Sequence, residues 1–164
     1  FVEEEVALEV REGGVGPSLA VRGRYLLRNR GWLPVRLPLD YPIAGVSSAS
    51  RPEVLKVVLD GAPVRFEEVE GGLALRAWLP ARRGVWLEVV YRQRLAERRA
   101  RYVVLSTRRW GRPLEEARFR VVLPSGCVLE RASPPLDRRT GEGVARDFWP
   151  GEDLEVEWTC APSR

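Results

Sequence analysis

The sequence contains no histidine and no methionine, and only two of its 164 residues are cysteine. Without histidine the chain has no Ser-His-Asp triad, no Cys-His dyad and no histidine-based metal site. Neither an HExxH nor a CxxC motif occurs. The usual routes to nucleophilic catalysis and to zinc chemistry are therefore excluded, and we expect neither a cofactor nor a metal.

Long apolar runs are also missing, since none approaches the roughly 20 residues needed to cross a bilayer. Apolar residues make up 45% of the chain and charged residues 30%, which excludes a disordered tail. A chain of this length buries about 70% of its unfolded surface on folding. We therefore expect one domain spanning residues 1–164.

The absence of methionine, together with a first residue Phe1, leads us to expect that an N-terminal segment has been removed. A cleaved signal peptide would explain this, and so would a boundary within a longer chain. Lysine is nearly absent too, because Lys56 is the single lysine beside 26 arginines. This bias, with abundant proline, suggests a GC-rich, thermophilic source.

The two cysteines, Cys127 and Cys160, are predicted to form a disulfide. Each shares the parity of apolar neighbours in a predicted strand, so both sulfurs can point toward the core. Two buried free thiols are the alternative. A disulfide would imply an oxidising compartment, and we therefore expect a periplasmic, cell-envelope or secreted protein.

Apolar residues recur at alternate positions along most of the chain, which is the period of a strand with one buried face. The segment Gly84 to Pro124 contains three such patterns in succession, including one through Tyr102 to Ser106. About eleven short strands, spaced near ten residues apart, are typical of an antiparallel two-sheet sandwich. We predict an all-β fold, immunoglobulin-like in the broad sense.

Several details of strand placement follow from local patterns. The early glutamates in Phe1 to Arg11 favour a wet edge strand that forms a hairpin with the next strand. Asp60-Gly61 predicts a tight hairpin turn. The prolines between Arg30 and Pro52 predict an edge strand and a long loop. Two further segments, 144–149 and 153–160, are expected to form a last hairpin. Other turns are expected at Gly13, Gly14, Gly16 and Pro17.

The segments VVLDGAPVRF and LRAWLPARRGVWLEVVYRQRL place an exposed Asp-Gly hairpin before a Pro-Gly corner and a tyrosine-containing strand. In this turn placement the chain resembles the β-sandwich modules of exported bacterial proteins. It is also similar to the N-terminal sandwich of zinc aminopeptidases and to the vault/inter-α-trypsin-inhibitor module. The resemblance covers Ser18 to Pro124, implies a sandwich fold and carries no catalytic residue over.

A carboxylate-based hydrolase is the catalytic alternative that remains. Adjacent residues on a strand point to opposite faces, so neither adjacent glutamate pair forms a dyad by spacing alone. A serine paired with Lys56 is a further possibility on paper, although a lysine at a strand end usually reaches solvent. We expect no enzyme. The residues weighed for these roles are Glu67, Glu68, Glu115, Glu116, Asp137, Asp153, Ser47, Ser48, Ser50, Ser106 and Thr107.

The tryptophans divide by parity and position. Trp158 shares the parity of Leu154 and Val156 and is expected in the core, whereas Trp78 and Trp86 are expected on an outer face. The remaining three, Trp32, Trp110 and Trp149, lie near turns, where they either cover the ends of the sandwich or stack on a sugar or base.

Positive charge is concentrated between Arg92 and Arg112. This segment contains eight arginines and one acid, Glu97, so it carries +7 while the whole chain carries +4 and the remainder −3. Arginine suits phosphate, sulfate or carboxylate, and Trp110 offers a stacking surface. We predict a polyanion-binding stripe, with pairing of each arginine to acids as the alternative. Its members are Arg92, Arg94, Arg98, Arg99, Arg101, Arg108, Arg109, Trp110 and Arg112.

Three functions remain after these exclusions. The first is a non-enzymatic interaction or structural module of an exported protein, whose partner is a protein. The second is a module that binds nucleic acid, acidic polysaccharide or the lipid headgroups of a membrane surface through the arginine stripe. The third is a carbohydrate-binding module that uses exposed tryptophan.

Overall fold

The computed structural model describes residues 1–13, 16–45 and 51–161. Gly14, Ser47, Ser48 and Ser50, weighed above, lie outside these residues. Within them the chain forms thirteen strands and one short 3-10 helix. The elements are β1 (Glu3–Arg11), β2 (Ser18–Arg28), β3 (Val35–Pro42), β4 (Glu53–Leu59), β5 (Ala62–Pro63), β6 (Phe66–Val69), β7 (Gly72–Leu79), β8 (Gly84–Arg94), β9 (Arg99–Tyr102), η1 (Leu105–Trp110), β10 (Leu114–Val122), β11 (Cys127–Ser133), β12 (Glu142–Phe148) and β13 (Leu154–Cys160).

The strands form one large sheet and two small ones. The large sheet has the order β12-β10-β1-β2-β8-β4-β5, and the small sheets have the orders β11-β13-β9 and β3-β7-β6. Buried residues from all three sheets form one apolar cluster. Because the buried residues alternate along the strands of each sheet, the small sheets cover one face of the large sheet and the other face meets solvent. The predicted all-β sandwich is confirmed.

The predicted edge position of the first strand is wrong. β1 lies in the middle of the large sheet, between β2, with which it runs antiparallel, and β10, with which it runs parallel. The parallel partner comes more than a hundred residues later, so no local pattern indicated it. The predicted hairpin of β1 with β2 is confirmed, whereas immunoglobulin-like topology stays a prediction.

Two other strand predictions are wrong. The segments 144–149 and 153–160 do not form a hairpin, because β12 pairs with β10 in the large sheet and β13 pairs with β11 and β9 in a small sheet. The strand predicted through Tyr102 to Ser106 ends at Tyr102 and gives way to η1. In both places the apolar alternation in the sequence continues beyond the residue at which the chain leaves one sheet for another.

The residues of the short turns and the prolines of the edge strand predicted the structure better than the alternating strand patterns did. The Asp60-Gly61 turn joins β4 to β5, and both residues have positive φ (48° and 81°), as a tight hairpin of this type requires. β3 contains two prolines and is an edge strand of its small sheet, as predicted. Turns of two residues are set by the residues themselves, which is why the sequence located them.

Cys127 and Cys160 form a disulfide, as predicted. They are directly opposite each other on the antiparallel pair β11 and β13, and both are half-buried against the core. The bond thus joins two adjacent strands at the end of a small sheet. In the part of the chain that the structure describes, no helix is long and apolar enough to cross a bilayer.

Trp158 is 2% exposed and belongs to the apolar core, whereas Trp78 is 50% exposed on the outer face of β7. We expect Trp158→Ala to lower the free energy of unfolding by about 3 to 5 kcal/mol, because it leaves a large cavity. Trp78→Ala, the matched control, should change it by less than about 1 kcal/mol. Denaturant unfolding measures both, and equal losses would contradict the assignment of faces.

The disulfide closes a loop with a sequence separation of 33. We expect unfolded, unreduced protein to show no titratable thiol. Reduction should lower the free energy of unfolding by about 3 to 4 kcal/mol through the entropy of the unfolded chain. Thiol titration in denaturant, followed by unfolding with and without reductant, makes the measurement. Two reactive thiols before reduction would contradict it.

Candidate functional site

A cleft of about 850 Å³ lies between the two small sheets. Its floor is the inner face of the large sheet, one wall is formed by β3 and the turn before β7, and the other by β9 and η1. Consecutive residues of the edge strands β3 and β9 line it, so the cleft follows the gap between the two sheets. The residues that line it include Phe1, Glu4, Tyr25, Leu39, Asp40, Tyr41, Glu70, Leu87, Arg101, Tyr102, Arg109, Trp110 and Asp153.

Three buried tyrosines and one buried glutamate form a hydrogen-bond chain at the floor. The Tyr25 hydroxyl is 2.8 Å from the Tyr41 hydroxyl and also bonds to the Tyr102 hydroxyl. The Tyr102 hydroxyl donates to Glu4 Oε1 at 3.2 Å. The four side chains come from β2, β3, β9 and β1, so the chain of hydrogen bonds connects both small sheets to the large one.

Gly23 makes room for this arrangement. It lies on the inner face of β2, two residues before Tyr25, and a Cβ atom built there would be 2.0 Å from the Tyr25 hydroxyl. The Tyr25 ring therefore packs against the backbone of its own strand at Gly23, and any larger residue at this position would clash with it. A glycine inside a strand often marks such a close approach.

Glu4 is the most unusual residue of the cluster. It is 1% exposed, and its Oε2 atom has no hydrogen-bond partner among the protein atoms that the structure describes. Burial disfavours the charged carboxylate and raises the pKa of Glu4 to about 8, although the Tyr102 hydrogen bond opposes the shift. Glu4 is thus mostly protonated at neutral pH.

The surrounding phenols stay neutral over the same range. Burial raises the pKa of Tyr41 to about 12 and the pKa values of Tyr25 and Tyr102 well above their ordinary value. The floor therefore offers hydroxyl groups and one carboxyl group that ionises near neutral pH. Such a group can exchange a proton or bind a cation, but the floor holds no activated nucleophile.

One wall of the cleft is fixed by Asp153, which is 5% exposed. Its Oδ1 accepts hydrogen bonds from the backbone amides of Val104 and Leu105 at the start of η1, at 3.0 and 2.9 Å. Its Oδ2 accepts from Arg101, with Nε at 2.9 Å. Asp153, weighed above as a catalytic carboxylate, therefore holds the helix against β9.

The predicted arginine stripe is divided between two sides of the sandwich. Arg92 and Arg94 lie on the outer face of the large sheet, whereas Arg99 and Arg101 lie on the outer side of the other layer. Arg98 pairs with Glu12, Arg99 with Glu155 and Glu157, and Arg101 with Asp153. No ion pair is found for Arg92, Arg94, Arg108, Arg109 or Arg112 within the described residues. Arg109 and Trp110 line the cleft.

Most outward tryptophans are covered by arginine. The guanidinium carbon of Arg82 is 4.1 Å from the ring centroid of Trp32, and Arg36, Arg24 and Arg108 cover Trp78, Trp86 and Trp149 in the same way. Trp110 instead packs on Phe1, with ring centroids 5.3 Å apart. One face of each outward ring is therefore occupied within the chain itself.

Most of the other residues weighed for catalysis have structural partners. The Thr107 hydroxyl donates to the Val104 carbonyl, whereas the side chains of Glu67 and Ser106 form no hydrogen bond or ion pair in the described part of the chain. Glu115 pairs with Arg30, Glu116 with Arg118 and Arg146, and Glu68 with Arg51. Lys56 pairs with Glu88 at 3.2 Å and reaches solvent. Asp137 accepts two backbone amides of its own turn. Glu12 lies near Cys127 and Cys160, but both sulfurs are in the disulfide and are not free thiolates.

Sequence reasoning missed Glu4 as a site residue. The signal was present, because Glu4 shares its parity with Val2, Val6, Leu8 and Val10, all of which are buried. Its two glutamate neighbours pointed instead to a solvated strand. Two features together would have indicated a buried polar cluster. One is a charged residue that shares the parity of the apolar residues of its strand, and the other is an inward glycine and tyrosine in the next strand.

Comparisons with known proteins place the fold. No protein-family model matches the chain, and no curated protein matches it by sequence. A solved structure from Legionella pneumophila, to which nutrient binding has been provisionally attributed, matches with a TM-score of 0.68 and 13% identity, over 96% of this chain and 65% of that one.

An M1 zinc metallopeptidase from Deinococcus radiodurans matches with a TM-score of 0.54 and 15% identity, over 95% of this chain and 41% of the peptidase. A variant of that peptidase solved with a Tyr-Ser-Ala substrate matches with a TM-score of 0.54 and 17% identity, over the same shares. The chain thus spans less than two thirds of the length of these neighbours. Identities this low show the fold alone.

The raised pKa of Glu4 predicts a stability that depends on pH. A carboxyl group whose pKa is about 8 in the folded state and 4.5 as its ordinary value binds more protons when folded, so stability falls as pH rises from about 4.5 to 8. The total is on the order of 5 kcal/mol. In Glu4→Gln this fall should disappear, because glutamine resembles the neutral acid and does not titrate.

Unfolding in denaturant at pH 5, 6, 7, 8 and 9 makes this measurement. No histidine contributes to the pH dependence in this range, because the chain contains none. Burial lowers the pKa of the Phe1 amino group, so this group makes stability rise with pH, opposite to the effect of Glu4. The contribution of the amino group remains in Glu4→Gln. Exposed Glu9→Gln is the matched control and should keep the wild-type profile. An identical pH profile for wild type and Glu4→Gln would contradict the prediction.

Proposed function

We propose that this chain is a non-enzymatic interaction module of an exported or cell-envelope protein, and that its partner is another polypeptide. The observation that carries the proposal is an apolar surface at one end of β3. Trp32 is 80% exposed, Leu33 79% and Val35 42%. We call these three residues the apolar end. Contiguous exposed apolar side chains often mark sites of protein contact.

The apolar end is held in place and does not simply fray. Asn29 Nδ2 donates to the Leu33 carbonyl at 2.8 Å, and the Arg82 amide donates to the Gly31 carbonyl at 3.1 Å. Arg82 also stacks on Trp32. Two loops are thus fixed together so that Trp32 and Leu33 point outward. A fixed apolar surface loses little entropy when a partner binds.

The size of the related structures supports a polypeptide partner. The chain spans 65% of the Legionella protein and 41% of the Deinococcus peptidase, so in both the same fold occurs beside further chain. The disulfide between Cys127 and Cys160 supports an oxidising, extracytoplasmic location. The structural roles of the weighed carboxylates, together with the lack of histidine, support a role without catalysis.

Site-specific crosslinking in the cells that make the protein tests this proposal. A photoreactive p-benzoylphenylalanine in place of Leu33 should give a discrete crosslinked product, identified by mass spectrometry. The same group in place of Glu97, which is exposed in the turn before β9, is the matched control and should not give it. No discrete product from position 33, or the same product from both positions, would overturn the proposal.

Polyanion binding is the second candidate, and one observation favours it. Arg108, Arg109 and Arg112 are exposed around η1 and form no ion pair within the described residues, although Arg108 stacks on Trp149. The carbohydrate alternative has less support, because an arginine already covers one face of Trp32, Trp78, Trp86 and Trp149.

If the second candidate is correct, the salt-dependent retention of the protein on a heparin column should depend on η1. Replacing Arg108, Arg109 and Arg112 with serine should abolish retention at low salt, because arginine pairing with sulfate releases counterions. The melting temperature should stay within a few degrees.

The control for this experiment removes the same charge elsewhere. Arg131, Arg138 and Arg139 are exposed, and replacing them with serine should leave most of the retention. Equal losses in the two triple variants would show that retention follows net charge alone. Early elution of the wild type would contradict polyanion binding altogether.

A further inference from the structure

We propose that the cleft between the two small sheets binds a primary ammonium group carried on an apolar body, with the ammonium against Glu4 Oε2. This site is separate from the apolar end, and the two proposals rest on different residues. Four properties of the cleft support it: an unpaired buried oxygen, the hydrogen bonding of the tyrosine hydroxyls, the charge of the walls and the aromatic lining.

The first property is the unpaired oxygen. Glu4 is buried and yet lines the cleft, and its Oε2 atom has no partner in the described part of the chain. A buried polar atom without a hydrogen bond destabilises the folded protein, and more so when it is charged. A ligand that reaches this atom from the cleft would recover that free energy.

The second property concerns the protons available at the floor. Tyr25, Tyr41 and Tyr102 have one hydroxyl proton each, and the chain contains three hydrogen bonds, of which the last is donated to Glu4 Oε1. The Tyr25 hydroxyl donates to Tyr41 and the Tyr102 hydroxyl donates to Glu4 Oε1, so neither of these protons is directed at Oε2. When Glu4 is ionised, Oε2 lacks a donor among these bonds, and a ligand in the cleft can supply one.

The charge of the walls selects a cationic donor. Asp40 and Glu70 are exposed residues that line the cleft and form no ion pair within the described residues, and Glu4 lies at its floor. Arg101 is neutralised by Asp153, which leaves Arg109 as the one lining guanidinium without a carboxylate partner among the described residues. When Glu4 is ionised, the lining acids without an ion pair among the described residues are Glu4, Asp40 and Glu70, against Arg109 and the Phe1 amino group, so a positive ligand is favoured.

The lining also suits an apolar body next to the charge. Phe1 packs on both Tyr25 and Trp110, with ring centroids 5.4 and 5.3 Å apart, and Leu39 and Leu87 are buried beside them. Aromatic rings attract an ammonium group through their faces. A cleft of about 850 Å³ accommodates a small organic ligand or one long side chain.

An added peptide strand fits the cleft less well. The Ile43 amide donates to the Gly71 carbonyl of the β7 side, so the amides of alternate residues, including positions 38 and 42, point away from β7. Those two positions are prolines, which have no amide hydrogen to donate. A strand laid along β3 would lose ladder hydrogen bonds there, so the ligand enters through a side chain or as a small molecule.

Proton linkage gives this site a recognisable signature. Below pH 8 an ammonium must displace the proton of Glu4, so affinity should rise by up to tenfold per pH unit between pH 6 and 8 and then level off. A neutral ligand that accepts from the protonated acid would instead lose affinity above pH 8. The other charged groups that line the cleft are Asp40, Glu70, Asp153, Arg101, Arg109 and the Phe1 amino group. Burial lowers the pKa of the Phe1 amino group and raises the pKa values of the three phenols.

Titration calorimetry with 2-phenylethylamine and its neutral analogue 2-phenylethanol tests the proposal on the whole chain. We expect the amine to bind at least tenfold more tightly than the alcohol at pH 8, and its affinity to fall as pH is lowered to 6. In Glu4→Gln the preference for the amine should be lost. The exposed Glu9→Gln control should keep it.

Near-ultraviolet circular dichroism shows whether Glu4→Gln is folded. Asp40→Asn alters only the exposed wall and is a second variant, in which the affinity for the amine should fall several-fold. Nα-acetyl-lysine amide separates the two sources of the same chemistry, since tighter binding than 2-phenylethylamine would indicate a lysine side chain of a polypeptide. No binding of either amine, equal binding of amine and alcohol, or unchanged amine binding in folded Glu4→Gln would each overturn the proposal.

Discussion

A carboxyl group buried on an interior strand of the large sheet is the constraint on which the rest of the structure depends. β1 is hydrogen-bonded on both sides, so Glu4 cannot turn to an edge and reach water. An ionised carboxylate in such a place would cost several kcal/mol. Protonation and the Tyr102 hydroxyl lower that cost, and the neighbouring tyrosines extend the hydrogen bonding into both small sheets. The spacing of the layers around the cleft is therefore tied to one acidic residue.

Local features of this fold could be predicted from the sequence, whereas features set by distant pairing could not. The Asp60-Gly61 turn, the β1-β2 hairpin and the disulfide each follow from short-range residue chemistry or from parity. The central position of β1 depends on a parallel strand more than a hundred residues later, and an alternating pattern is the same for edge and central strands. Glu4 was misassigned for this reason, because its parity indicated the core but its glutamate neighbours indicated water.

The arginine-rich segment shows a second limit of the same kind. Counting charges located an excess of arginine, but charge along the chain does not reveal which carboxylate the fold brings near. Asp153 and Glu155 lie about fifty residues after the arginines with which they pair, at the start of the strand that is added to β9. Arg92 and Arg101 are close in sequence yet lie on opposite sides of the sandwich, because the chain changes layer between β8 and β9. Within the described residues, the arginines around η1 form no ion pair, and neither do Arg92 and Arg94 on the outer face of the large sheet.

The edges of the two small sheets explain why the cleft stays open. β3 and β9 both line the gap, and two exposed strand edges would ordinarily favour pairing with each other or with a further strand. The prolines at positions 38 and 42 remove amide hydrogens on the side of β3 that points away from β7, and β9 has only four residues. A continuous second layer would have covered the floor and enclosed Glu4 without any path to a cation. The edge chemistry thus preserves the access that the unpaired oxygen of Glu4 needs, and the buried acid and the blunted edges act together as one site.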